Sequence, residues 1–180
     1  MVRYGWLLCM AAACADDSSD EGSVTDDGTT EEDKQQAAAT PAFGSDTDVS
    51  EADALWAQMD GYDQWESFPG LEGIQPGMSP HGAFVRFYVN DICAESPDDP
   101  PDGSIIIKEN FGDEAGTMLG AITVMEKREG YDAEGGDWFW AKYLPGGSLD
   151  ANPEGVPLAG KVGGCRGCHM GAGEDRVFVN

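Results

Sequence analysis

Between residues 82 and 144 the chain repeats one texture. Short stretches alternate apolar and polar or smaller side chains, and Gly, Pro or Asp separate them. Gly82–Val89 sets Phe84, Arg86 and Tyr88 against Val85, Phe87 and Val89. Ser104–Asn110 is built on three consecutive isoleucines, Leu119–Lys127 carries Ile122, Val124 and Met125, and Asp137–Leu144 carries Trp138, Phe139 and Trp140. Period-two stretches rich in β-branched and aromatic residues predict strands. With no helix-length crossover between them, they predict an antiparallel sheet. Upstream the period changes. Ser50 is placed to cap a helix, Glu51 and Asp53 suit its first turn, and Leu55, Trp56 and Met59 share one face up to Gly61. Tyr62–Pro80 mixes Trp65, Phe68 and Leu71 with Gly and Pro and reads as an irregular wrapping segment. After Pro145 come glycine-rich loops, a short helix opening at Cys165, and a last edge strand over Asp175–Val179. The predicted class is α+β, mainly a twisted antiparallel sheet with a few helices.

Charge divides the 180-residue chain further. Its formal net charge is −24, which argues against nucleic acid as a partner, because phosphate neutralisation needs a basic face. Asp16–Asp60 holds fourteen acids and one basic residue, Lys34. Residues 15–50 have almost no branched aliphatics and cannot bury enough apolar surface to offset ordering entropy, so they are expected to form a disordered acidic tether. Residues 1–14 read as an export signal: Arg3 supplies the positive end, and the apolar run Trp6–Ala13 is too short to span a bilayer. Ala11, Ala12 and Ala13 precede Cys14, which resembles a bacterial lipoprotein signal with Cys14 lipidated. The alternative is ordinary secretion with cleavage near Ala13 or Ala15. Both readings place the 51–180 domain outside the cytoplasm, periplasmic or anchored at a membrane surface by lipid.

The chemistry concentrates in Cys165-Arg166-Gly167-Cys168-His169. Two thiols three residues apart followed by a histidine form a c-type haem attachment pattern: thioethers hold the macrocycle and the imidazole ligates iron. A thioredoxin-like Cys-x-x-Cys would open a helix in a βαβ unit, and none is predicted. A structural zinc site needs four ligands, and outside the first fourteen residues only Cys93 and His81 remain to complete one. One covalent haem c, packed against a sheet face, is the expected cofactor.

The blocks HGAFVRFYVND (81–91), PDGSIIIKENF (101–111), ITVMEKREGYD (122–132), GDWFWAKY (136–143) and CRGCHMGAGEDRVF (165–178) together resemble the cytochrome P-460 family, in its order. The resemblance covers about residues 78 to 179 and implies a homodimer of mostly antiparallel β subunits with one haem c each. It implies thioether roles for Cys165 and Cys168 and the axial role for His169. The family includes hydroxylamine-oxidising enzymes, which tie a lysine to the haem edge. Its relatives, the cytochromes c′-beta, bind nitric oxide at an open haem face. A small nitrogen ligand or substrate and a redox partner protein are therefore expected.

By this resemblance Lys108 falls at the crosslinking position. From the residues alone, Lys108 follows three isoleucines and shares the face of Ile106, which suits either a desolvated nucleophilic amine or a snorkelling lysine with a solvated head. Lys127 and Lys142 lack such a match. The family's distal carboxylate falls near Met125-Glu126. Glu126 toward the haem would supply a general base, and Met125 would not, because a slip of one residue exchanges the faces. Met125, Met118 and Met78 are also candidate sixth ligands, or simply core. His81 is expected to hold a strand start by hydrogen bonding, Cys93 to be a buried thiol, and Trp138, Phe139 and Trp140 to put rings on both faces, as core, as dimer interface or in part as lining of the haem pocket.

Overall fold

The computed structural model of the chain describes residues 42–173 and Val177. One antiparallel sheet runs in chain order through β1 (Gln75–Pro76), β2 (Phe84–Val89), β3 (Ile105–Phe111), β4 (Leu119–Lys127), β5 (Trp138–Tyr143) and β6 (Ala159–Gly160). With α1 (Asp46–Gln58), α2 (Asp91–Glu95) and α3 (Gly163–His169), the class is α+β, as the pattern predicts. Each long strand starts or stops within two residues of its predicted limit. The two-residue strands β1 and β6 carry no period of their own and were invisible to it. α2 had a readable signal: the side chain of Asn90 caps it by accepting from Cys93 N at 3.1 Å.

α1 begins earlier than predicted. Ser45, rather than Ser50, is the cap: its hydroxyl accepts from Asp48 N at 3.2 Å, and Asp48 accepts from Ser45 N at 3.0 Å. This reciprocal pair satisfies two end donors, and Asp46 and Asp48 complement the helix dipole. The expected tether therefore does not reach residue 50. Gly44 N already donates to Ala159 O at 2.9 Å, and Phe43 packs on the core. Residues 15–41 and the signal at 1–14, including Cys14, lie outside the described residues. Among the described residues no helix is long and apolar enough to cross a membrane.

Alternation sends the strands' side chains to two cores. Toward α1 point Tyr88, Ile105, Ile107, Ile122, Val124, Phe139 and Tyr143, meeting Ala52, Leu55 and Met59. Tyr143 clamps the helix by donating its hydroxyl to Ala52 O at 2.7 Å. Toward α3 point Val85, Phe87, Val89, Ile106, Met125, Trp138 and Trp140, with Phe68, Cys93 and Val162. The expected edge strand over 175–179 lies outside the described residues except Val177, which is buried on this second core and is not in a strand.

Candidate functional site

Between α3 and its sheet face lies a cavity of about 260 Å³ with an apolar wall of Phe87, Ile106, Met125, Trp140, Leu158 and Val162. Cys165, Cys168 and His169 enter it from α3, and Lys108, Thr123 and Lys142 from the sheet. A second space of about 400 Å³ adjoins it, and the two share Pro80, His81, Phe87, Lys108, Cys168 and His169. No aspartate or glutamate lines the first cavity among the described residues.

The helix brings the three motif residues together. Cys165 and Cys168 are one turn apart, so both thiols face one side. Burial pushes the Cys165 thiol up to about 11, while Cys168 stands exposed at the rim. His169 is buried, 7% exposed, with its ring centre 4.7 Å from that of Trp140. Arg166, the variable position of the motif, latches the helix down. It donates from Nη2 to Asp132 Oδ1 at 3.0 Å, and its Nε lies 2.7 Å from Oδ2. Asp132 is itself held by the turn before β5, where its N donates to Asp137 Oδ1 at 2.8 Å.

Lys108 shares the face of Ile106, as alternation requires, and it reaches the cavity. Burial lowers its ammonium to about 8, because charge is disfavoured away from water. The register sends Met125 and Glu126 to opposite faces of the sheet. Met125 pairs with Ile106 and Trp140 and lines the cavity. Glu126 pairs with Ile105 and Phe139 on the α1 face and meets Arg128 at 2.6 Å, which also pairs with Glu51 of α1. The expectation of Glu126 as a distal base is therefore corrected: its carboxylate belongs to the sheet–α1 contact. Among the other candidates, Met118 and Met78 are exposed, and only Met78 lines the second space. Lys127 lies over Trp138, and Lys142 lines the cavity while paired to Asp150 at 2.8 Å.

His81 does the structural work expected and more. Its Nδ1 lies 3.0 Å from Asn110 Oδ1, tying the start of β2 to β3. It also lines both spaces, and its ring centre is 6.2 Å from that of His169. Burial, and then the nearby Lys108 charge, hold its pKa down to about 4. The strand-start setting explained the hydrogen bond, but nothing in the sequence spacing placed His81 beside His169. Thr123 was likewise not assigned to the site, and of the three rings open to a pocket role Trp140 is the one that lines the cavity. Their faces follow from alternation once the register with β3 is known.

These residues fit a covalently held haem. The thiols and a buried imidazole converge on an apolar space bounded by a single helix and a sheet. Trp140 Nε1 is buried there without a hydrogen-bond partner, a donor suited to a polar edge of a bound group. A zinc site fits less well. Cys93 is fully buried on α2 and does not line the cavity, and no three His, Cys, Asp or Glu among the described residues could hold a metal ion. No protein-family model matches the chain, and no curated protein sequence matches it.

Proposed function

We propose that the chain is an exported c-type haem protein that binds a small nitrogen ligand such as nitric oxide and passes electrons, in the manner of the cytochromes c′-beta. Cys165 and Cys168 hold one haem and His169 ligates its iron. The supporting observation is the convergence of both thiols and a buried imidazole from α3 on one apolar cavity. The haem supplies the redox-active iron. The protein contributes a dry wall that excludes water, a fixed imidazole, and the Arg166–Asp132 pair that fixes the attachment helix.

At the pair where a distal base was expected, Met125 is the residue that lines the cavity and Glu126 is bound to Arg128, which supports binding over base-assisted oxidation. One observation favours a second reading, hydroxylamine oxidation of the cytochrome P-460 type. The desolvated Lys108 amine stands in the same cavity, where a crosslink to the haem edge would need it. Incubation of the purified holoprotein with hydroxylamine and an artificial electron acceptor separates the two. Nitric oxide binding without turnover is expected. Sustained turnover, with the Lys108 peptide joined to the haem peptide, would establish the second reading instead.

A further inference from the structure

A third space, of about 340 Å³, adjoins the first cavity at the other side of Thr123 and Lys142. Pro80, His81, Thr123 and Lys142 line both, so the two are continuous. Its outer end is bordered by Ala83, Gly112 and Gly120, all exposed. Cys168 and His169 border the first two spaces, but no residue of the attachment motif borders this one. A group held by α3 belongs in the first two and leaves the third open to solvent.

The strand register explains the groove. Three cross-strand rows follow one another on the face toward α3. Ile106, Met125 and Trp140 form the cavity wall, Lys108, Thr123 and Lys142 form the next row, and Asn110 and Ala121 form the last. Side chains shrink from methionine through threonine to alanine along β4, so the sheet surface sinks toward the outside. The wall beside this floor is tied in place. Asn110, 6% exposed, has its Nδ2 3.2 Å from Ala121 O and 3.3 Å from Thr123 Oγ1, while its Oδ1 lies 3.0 Å from His81 Nδ1. The groove is therefore preformed.

Its charge is nearly balanced. Burial, then the Lys108 charge, hold His81 neutral at ordinary pH, with a pKa of about 4. Lys142 is paired at 2.8 Å with Asp150, whose carboxyl that hydrogen bond holds below its usual range. Such a passage suits a small uncharged molecule.

We infer that this groove is the entrance through which a small uncharged ligand reaches the cavity, crossing between His81, Thr123 and Lys142. The inference rests on the haem reading and names the route to that site. An obstacle in an entrance raises the barrier without touching either end state. It must then slow association and dissociation by one factor and leave the affinity unchanged.

The test is carbon monoxide binding to the reduced holoprotein, with association followed after flash photolysis and dissociation by displacement with nitric oxide. A121L fills the floor of the groove, A83W its outer end, and M78W the rim of the second space, where Met78 is exposed. A121L and A83W should each lower both rate constants on the order of tenfold at constant Kd, with the visible spectrum of the wild type. M78W should leave both rates as they are. Unchanged rates in A83W, slowing in M78W instead, or a loss of affinity at an unchanged association rate overturns the inference while leaving the haem reading intact. A83W carries the test alone if A121L does not mature, because Ala83 is exposed and its enlargement disturbs no core. Wild type without covalent haem by intact mass overturns the haem reading, and this inference with it.

Discussion

Lys108 Nζ lies 4.9 Å from the centre of the Phe87 ring, its cross-strand partner on β2. The aromatic face gives the ammonium some compensation, but burial still lowers it from 10.5 to about 8. Between those values the unfolded chain holds a proton that the folded chain does not. Stability must therefore rise with pH from about 8 to 10.5, and the full cost of the buried charge is present below 8. In protein freed of haem by replacing both Cys165 and Cys168 with serine, K108M should be more stable at pH 7. The gain is on the order of 2 kcal/mol, from about 1.4 kcal/mol per pKa unit reduced for partial exposure. Urea titrations at pH 7 and pH 10.5 check this, because the gain should vanish at the higher pH.

Glu126 faces away from the cavity, so E126Q should leave the visible spectrum and nitric oxide binding of the holoprotein unchanged. Its effect falls on the Arg128 bridge to Glu51 of α1, with a stability loss of about 1 kcal/mol for a partly exposed pair. Binding isotherms and denaturant melts on one preparation test both halves.

Arg166 and Asp132 form the contact that holds α3 to the turn before β5. Asp132 is 7% exposed, and removing the guanidinium leaves its carboxylate nearly buried and uncompensated. R166A should cost about 2–3 kcal/mol, below the range for a fully buried pair because Arg166 is partly solvated. The R166A/D132N double variant should lose less than the sum of the single losses. Additive losses in the double-mutant cycle would mean the pair is not coupled.

Gly82 follows His81 at a point with no room for a side chain. A Cβ there would meet Phe111 O at 2.4 Å and Phe111 N at 2.6 Å, both backbone atoms that cannot turn aside. G82A should force β2 from β3 and cost about 1–3 kcal/mol. G120A, whose Cβ would meet Asn110 O at an ordinary 3.6 Å, should be close to neutral. Thermal midpoints of the two variants give the comparison.

The four long strands were legible because period-two alternation survives burial on two faces, and the same rule placed Lys108 with Ile106. Glu126 was not legible. Alternation fixes which residues share a face but not which face meets α3, and only the pairing of Met125 with Trp140 decides that. The start of α1 was misread because Ser45 and Ser50 are each followed three residues later by aspartate, an identical local signal. Tertiary contacts at Phe43 and Gly44 select the first. The nearness of His81 and His169 joins residues 88 positions apart, and no local pattern encodes it.

Covalent attachment of haem at Cys165 and Cys168 is the central expectation. Intact-mass spectrometry of the exported protein, before and after acid–acetone extraction and beside a variant with both cysteines replaced by alanine, tests it most directly. The predicted result is one added haem that survives extraction in the wild type and is missing from the variant. A wild type at its polypeptide mass after extraction, with both thiols free to react, would contradict it.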